Sequence, residues 1–254
     1  MFSKVCRVSA VSALAAGLAA SAAAQPNALA HWTFDDTFDD ASGNGRALVE
    51  NGSVPFGVGQ FGNAATFSGN GDNFLNNDLS VFDPGTGDFA VSFWYLTPNT
   101  GNQTLLGRGI EAFTFADQGY RVRLDGGNLQ FRLLDNGNNN AQVAAPAIDT
   151  WHHVVVQRDG DEIELFLNGL EVANDLGNQN IDLTSGLPFT VGRRTAEAGS
   201  GAFTGSLDEI WVFDGPLSDA EVGNLLTLNS PVPEPAAASV LLLGAAAALR
   251  RRRG

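Results

Sequence analysis

Hydrophobic and polar positions alternate with period two through the middle of the chain. Phe89, Val91, Phe93 and Tyr95 share one face of an extended segment, as do Tyr120, Val122 and Leu124, then Leu129, Phe131 and Leu133, then Ile163, Leu165 and Leu167. This alternation predicts half-buried β-strands. Turn-forming runs separate them: Asp125-Gly126-Gly127, Asn136-Gly137, Asp159-Gly160 and Asn168-Gly169. Many short strands joined by hairpin turns predict an all-β domain over residues 26–230, an antiparallel two-sheet β-sandwich. A helical pattern follows the last strand, where Ser218 and Glu221 stand in capping-box spacing ahead of Val222, Leu225 and Leu226. At about 200 residues, this body can bury a core without disulfide staples.

Composition changes the picture once it is divided by position. The chain has 28 Asp plus Glu against 14 Lys plus Arg. Met1, Lys4, Cys6 and Arg7 lie in the first 24 residues and Arg250 to Arg253 at the other end, so the body has no Lys, Cys or Met. Its charged side chains are eight arginines and 27 carboxylates, a formal charge of −19 over residues 25 to 231. A body without Lys or Cys forms no lysine Schiff base, disulfide, iron–sulfur cluster or cysteine-ligated zinc site. Nucleic-acid binding is disfavoured, because counterion release needs a basic face.

Both ends read as addresses. Lys4 and Arg7 precede an apolar run, Val8 to Ala20, and the small residues Ala22-Ala23-Ala24 form an A-x-A cleavage pattern, so residues 1–24 read as a secretory signal peptide. The other end, residues 231–254, places Pro233-Glu234-Pro235 before an apolar stretch, Ala236 to Leu249, and then Arg250, Arg251, Arg252 and Arg253. In that order the three parts resemble the PEP-CTERM sorting signal of Gram-negative bacteria. The fourteen apolar residues would form a helix of about 21 Å, short of the roughly 30 Å hydrocarbon core and suited to transient retention. The resemblance implies export, passage through the inner membrane via residues 236–249, recognition by an exosortase, and delivery to the envelope, surface or extracellular matrix.

A second resemblance covers most of the body. Ala30-His31-Trp32-Thr33-Phe34-Asp35, Phe61-Gly62-Asn63-Ala64-Ala65-Thr66-Phe67, Phe89-Ala90-Val91-Ser92-Phe93-Trp94, Trp151-His152-His153-Val154, Leu165-Phe166-Leu167-Asn168-Gly169 and Phe203-Thr204-Gly205-Ser206-Leu207-Asp208-Glu209-Ile210 occur in this order. Together they resemble the laminin-G-like, concanavalin A-like jelly roll. The resemblance implies two curved antiparallel sheets face to face, a frequent calcium ion, and glycan or protein recognition. The fold hosts lectins, glycosidases and adhesive spacers, so function must be argued from a site.

Three constellations carry candidate chemistry. Asp35, Asp36, Asp39 and Asp40 crowd one loop before Ser42-Gly43-Asn44-Gly45, and a hard cation would relieve their repulsion. The last strand, beside the first in the resembling family, adds Asp208 and Glu209. A structural Ca2+ held by Asp40 and Asp208, with Asn44 and Glu209, is one expectation; a solvated loop of Asx-turns is the other. Next, pairing Leu124 with Leu129 puts Arg123 opposite Gln130 and Arg121 opposite Arg132 on the non-core face. There Arg121, Arg123 and Arg132 would either pair with nearby acids or form a small platform for acidic polysaccharide. Lastly, His152 and His153 point to opposite faces of a strand and cannot converge on one ion, so one packed and one exposed ring are expected. Glu162 and Glu164 share a face away from Ile163 and Leu165, without the E-x-D-x-E strand pattern of glycosidases of this fold. These observations lead to a non-enzymatic exported protein that binds exopolysaccharide or extracellular glycan; the alternative is a structural or adhesive envelope component, and a glycosidase comes third.

Overall fold

The computed structural model of the chain describes residues 26–110, 118–134, 139–177, 181–194 and 201–231. The leader, the sorting motif Pro233, Glu234, Pro235 and Arg250 to Arg253, and the expected apolar helix over 236–249 lie outside the described residues. No helix among the described residues is long and apolar enough to cross a membrane.

The strands are β1 (Ala28–Trp32), β2 (Val49–Asn51), β3 (Phe56–Val58), β4 (Asn63–Ser68), β5 (Phe74–Asn77), β6 (Phe89–Leu96), β7 (Gln103–Ile110) and β8 (Gln118–Asp125). They continue as β9 (Asn128–Leu134), β10 (Asn140–Ala144), β11 (His152–Asp159), β12 (Glu162–Leu167), β13 (Leu170–Leu176), β14 (Phe189–Val191) and β15 (Thr204–Phe213), before the helix α1 (Asp219–Leu228). One sheet runs β13-β12-β11-β6-β15-β4-β3, with β1 also paired to β15; the other runs β10-β9-β8-β7-β14-β5-β2. All pairings between described strands are antiparallel. The alternating apolar positions face one another across the sandwich: Phe89, Val91, Phe93 and Tyr95 of β6 meet Tyr120, Val122 and Leu124 of β8 and Leu129, Phe131 and Leu133 of β9 in one core.

The turns form where their residues tolerate left-handed backbone. Gly126 and Gly127 take φ of 58° and 80° between β8 and β9, and Asn168 and Gly169 take 51° and 82° between β12 and β13, as two-residue hairpins of this twist require. The outer face of the first sheet is covered by α1. Val222 and Leu225 pack on Ala90, Val155, Phe166 and Phe213 in a second apolar cluster. The helix starts through the expected capping box: Ser218 Oγ accepts from Glu221 N, and Ser218 N donates to Glu221 Oε2 at 2.7 Å. Phe166 is therefore packed beneath a helix, Trp211 packs against the same cluster and donates to Asn229 at the end of α1, and Trp94 is buried on the same outer face.

Candidate functional site

The arginine register is as the hairpin geometry requires, with Arg121 opposite Arg132 and Arg123 opposite Gln130. Their exposure is not that of an open platform. Arg121 is 4% and Arg123 9% exposed, and Arg123 donates to Gln130 at 2.8 Å and pairs with Asp125 at 2.7 Å. Gln130 passes the chain of hydrogen bonds on to Gln142 at 2.9 Å. Arg121 and Arg132 are engaged as well. This face is a cross-strand ladder in which a neighbouring acid neutralises Arg123.

The acidic loop folds on itself. Asp40 Oδ1 accepts from His31 N at 3.0 Å and Ser42 N at 2.9 Å, and its Oδ2 accepts from Arg46 N at 3.0 Å. Burial pushes the Asp40 carboxyl up, but the bonds from His31, Ser42 and Arg46 outweigh it and hold the group below its usual value. Asn44 staples the loop to β1 through the carbonyls of Ala28 and Leu29. Asp208 is spent elsewhere: its Oδ2 accepts from Gln60 N at 2.8 Å and Phe61 N at 3.0 Å in the β3–β4 hairpin. A bulge between Asp208 and Trp211, with Glu209 at φ 51°, aims Glu209 at the His31 ring, 2.5 Å away. Asp40, Asn44, Asp208 and Glu209 thus serve separate structural partners, and no group of three or more His, Cys, Asp or Glu suited to a metal occurs among the described residues.

Both adjacent histidines are buried, His152 at 7% and His153 at 1%, which corrects the expectation of one exposed ring. Alternation does send them to opposite faces, but each face is covered there. His152 packs by Tyr95 and bonds Ala147 O at 2.9 Å; His153 Nε2 meets Ser92 Oγ at 2.9 Å beneath Trp94. Burial pushes the His153 imidazole down to about 4. Ser92 is 1% exposed and His153 Nδ1 has no partner among the described residues, so the pair lacks both the orienting acid and the access that a nucleophile needs.

One concavity among the described residues involves none of the candidate site residues above. A cleft of about 280 Å³ opens between the two sheets at one end of the sandwich, floored by Leu29, Phe89, Tyr120 and Val212 and rimmed by Asp83, Asp88 and Asp214. Its rim is the connection from β5 to β6, and two arginines from strand interiors hold it. Arg108 of β7 grips Asp83 through Nε and Nη2, both at 2.7 Å, and reaches Leu79 O at 3.0 Å. Arg158 of β11 donates to the carbonyls of Gly85, Gly87 and Ile181 and lies over the Phe89 ring. These residues are 2% and 1% exposed. Burial pushes the Asp83 carboxyl up, yet its bonds with Arg108 and Ser185 outweigh this and keep it lowered. The signal in the sequence was an arginine at an inward-facing strand position, Arg108 opposite Tyr120: a charge facing a core must find a partner.

A family model described as the concanavalin A-like lectin/glucanases superfamily, of the laminin-G type, matches residues 67–223. No curated protein matches the chain in sequence. Among solved structures, domain 4 of AbnA, a GH43 extracellular arabinanase from Geobacillus stearothermophilus in complex with arabinotriose, is similar at TM-score 0.62 and 19% identity, over 80% of this chain and 100% of that one. The binding domain of Paraclostridial Mosquitocidal Protein 1 is similar at TM-score 0.64 and 19% identity, over 80% and 52%. The binding domain of Botulinum Neurotoxin DC in complex with SialylT is similar at TM-score 0.60 and 14% identity, over 80% and 51%. The chain spans about half the length of those two binding domains. At these identities the likeness is one of fold.

Proposed function

Because the chain belongs to the concanavalin A-like lectin/glucanases superfamily, we propose that it is a non-enzymatic carbohydrate-binding protein and that the cleft between its sheets receives the sugar. The observation that carries this reading is the cleft itself, an apolar and aromatic floor within a polar rim that two buried arginines hold rigid. Small-molecule sites combine these features, and a rim fixed in advance saves the entropy of ordering it on binding. The arabinotriose and SialylT complexes of structural relatives support the same class of ligand. Catalysis is not part of the proposal. Glycoside hydrolysis needs a carboxyl kept protonated as general acid opposite a second carboxylate, and Arg108 holds Asp83 in the ionised form.

Export through residues 1–24 and sorting through residues 231–254, with an exosortase and the inner membrane as partners, complete the proposal. They would place the domain at the envelope, surface or matrix, where exopolysaccharide or other extracellular glycan is its ligand. Calcium enters only as a structural ion of the Asp40 loop; a melting temperature higher in calcium than in chelator supports it, and equal values remove it. The carbohydrate reading is tested by retention of the purified chain on a panel of immobilised glycans, beside a Val81→Trp variant whose indole fills the cleft from its rim. Retention that the variant loses while its melting temperature is kept supports the reading. Equal retention of the two moves the site elsewhere.

A further inference from the structure

We infer that the cleft takes a single neutral sugar residue and rejects acidic ones. The inference rests on the carbohydrate reading above and names the ligand class of that same site. Its first support is the distribution of charge. Asp83, Asp88 and Asp214 all line the cleft, in a body whose only cations are eight arginines against 27 carboxylates. Three arginines bond cleft residues or the loop that rims it: Arg108 uses its fork on Asp83 and a further donor on Leu79 O, Arg158 directs its donors to three backbone carbonyls, and Arg46 donates from Nη1 to Leu29 O. Arg121, Arg123 and Arg132 belong to the outward face of the other sheet and do not line the cleft. A uronic or sialic acid would therefore bring its carboxylate among carboxylates with no bidentate donor to receive it, and like charges at such range cost affinity.

The same groups suit a neutral sugar. Asp88 Oδ1 accepts from Gly160 N at 2.9 Å, which leaves Oδ2 to accept from a sugar hydroxyl in a charge-assisted hydrogen bond. Asp214 is exposed, and among the described residues its Oδ1 accepts from Asn27 N at 2.7 Å and its Oδ2 from Asn27 Nδ2 at 2.9 Å, which leaves a further lone pair on each oxygen. Phe89 and Tyr120, 3% and 1% exposed, close the bottom of the cleft with apolar edges rather than with an open ring face. The volume, about 280 Å³, falls just below the roughly 300–1,000 Å³ of ordinary small-molecule sites and suits one ring better than a chain.

The test is calorimetric titration of the purified chain with matched neutral and uronic-acid oligosaccharides, at low and high salt, alongside an Asp88→Asn, Asp214→Asn double variant. Asp88→Asn keeps the Oδ1 acceptor for Gly160 N; Asp214→Asn keeps Oδ1 for Asn27 N but gives up the bond that Oδ2 accepts from Asn27 Nδ2, and the melting temperature checks that the fold is retained. The expected result is binding of the neutral sugar and at least about tenfold weaker binding of its uronic counterpart. That gap narrows in high salt and in the double variant. Binding of the uronic sugar as tightly as the neutral one, or a gap unchanged in the double variant, overturns the inference and leaves carbohydrate binding standing. No binding of any sugar, neutral or acidic, overturns the carbohydrate reading itself.

Discussion

Two regions of the sandwich that bury charge treat it in opposite ways. At the cleft end, Arg108 and Arg158 are almost fully enclosed, and between them they bind the Asp83 carboxylate and the carbonyls of four residues. On the outer face of the first sheet, Asp208 is 0% exposed with one oxygen bonded to Gln60 N and Phe61 N and the other without a partner among the described residues. Burial, with Glu209 beside it, pushes this carboxyl up to about 7. Near it in the same sheet, Trp94 Nε1 and His153 Nδ1 likewise have no partner among the described residues. The difference lies in how completely each charge is satisfied. A guanidinium ringed by acceptors fixes its loop over the whole working pH range, whereas a half-satisfied carboxylate is tolerated chiefly in its protonated form.

The largest expected effect breaks the satisfied side. Arg108→Met leaves Asp83 enclosed without its counter-charge, and loss of one partner from a buried pair costs about 3–5 kcal/mol. Urea unfolding should show that loss together with loss of glycan retention, since the cleft rim is released; a change within about 0.5 kcal/mol would show that the pair does not hold the rim.

The second effect comes from Asp208. Its folded value lies above the usual 3.8, so between pH about 4 and 7 the native state keeps a proton that the unfolded chain has released. Stability from this group is present in full below pH about 4 and is lost as pH rises through about 7, by roughly 3–4 kcal/mol. Asp208→Asn should flatten that part of the pH–stability curve without moving the cleft. An unchanged slope would place the titration on another group.

The smallest effect sharpens the comparison with a third buried carboxylate. Glu221 is 8% exposed but takes hydrogen bonds from both Ser218 N and Ser218 Oγ. Ser218→Ala should cost about 1 kcal/mol in urea unfolding. A loss of more than about 2 kcal/mol would show that this cap carries more than the start of a helix ordinarily does.

Much of this architecture was legible in the residues. Period-two alternation located β6, β8, β9 and β12, the turns at Gly126-Gly127, Gly160 and Asn168-Gly169 located hairpins while Asn136-Gly137 lies outside the described residues, and pairing Leu124 with Leu129 gave the Arg121–Arg132 register correctly. The capping box likewise marked the start of α1. The site was legible only in pieces. Burial on a strand's outer face depends on what lies over it, so neither the 1% exposure of His153 nor the 4% exposure of Arg121 follows from alternation. The cleft depends on a loop meeting both sheets, and Arg108–Asp83, 25 residues apart, has no local motif. Spacing brought Asp40 near a turn, but only the folded backbone shows that its oxygens accept from His31 N, Ser42 N and Arg46 N.

The central claim is that the cleft between the sheets, and not the arginine ladder, holds the sugar. The most direct measurement is glycan retention of Val81→Trp beside an Arg121→Ala, Arg132→Ala double variant, with the melting temperature of each recorded. The account expects the indole to abolish retention and the double variant to keep it. Loss of retention in a folded double variant, with Val81→Trp unaffected, would contradict it.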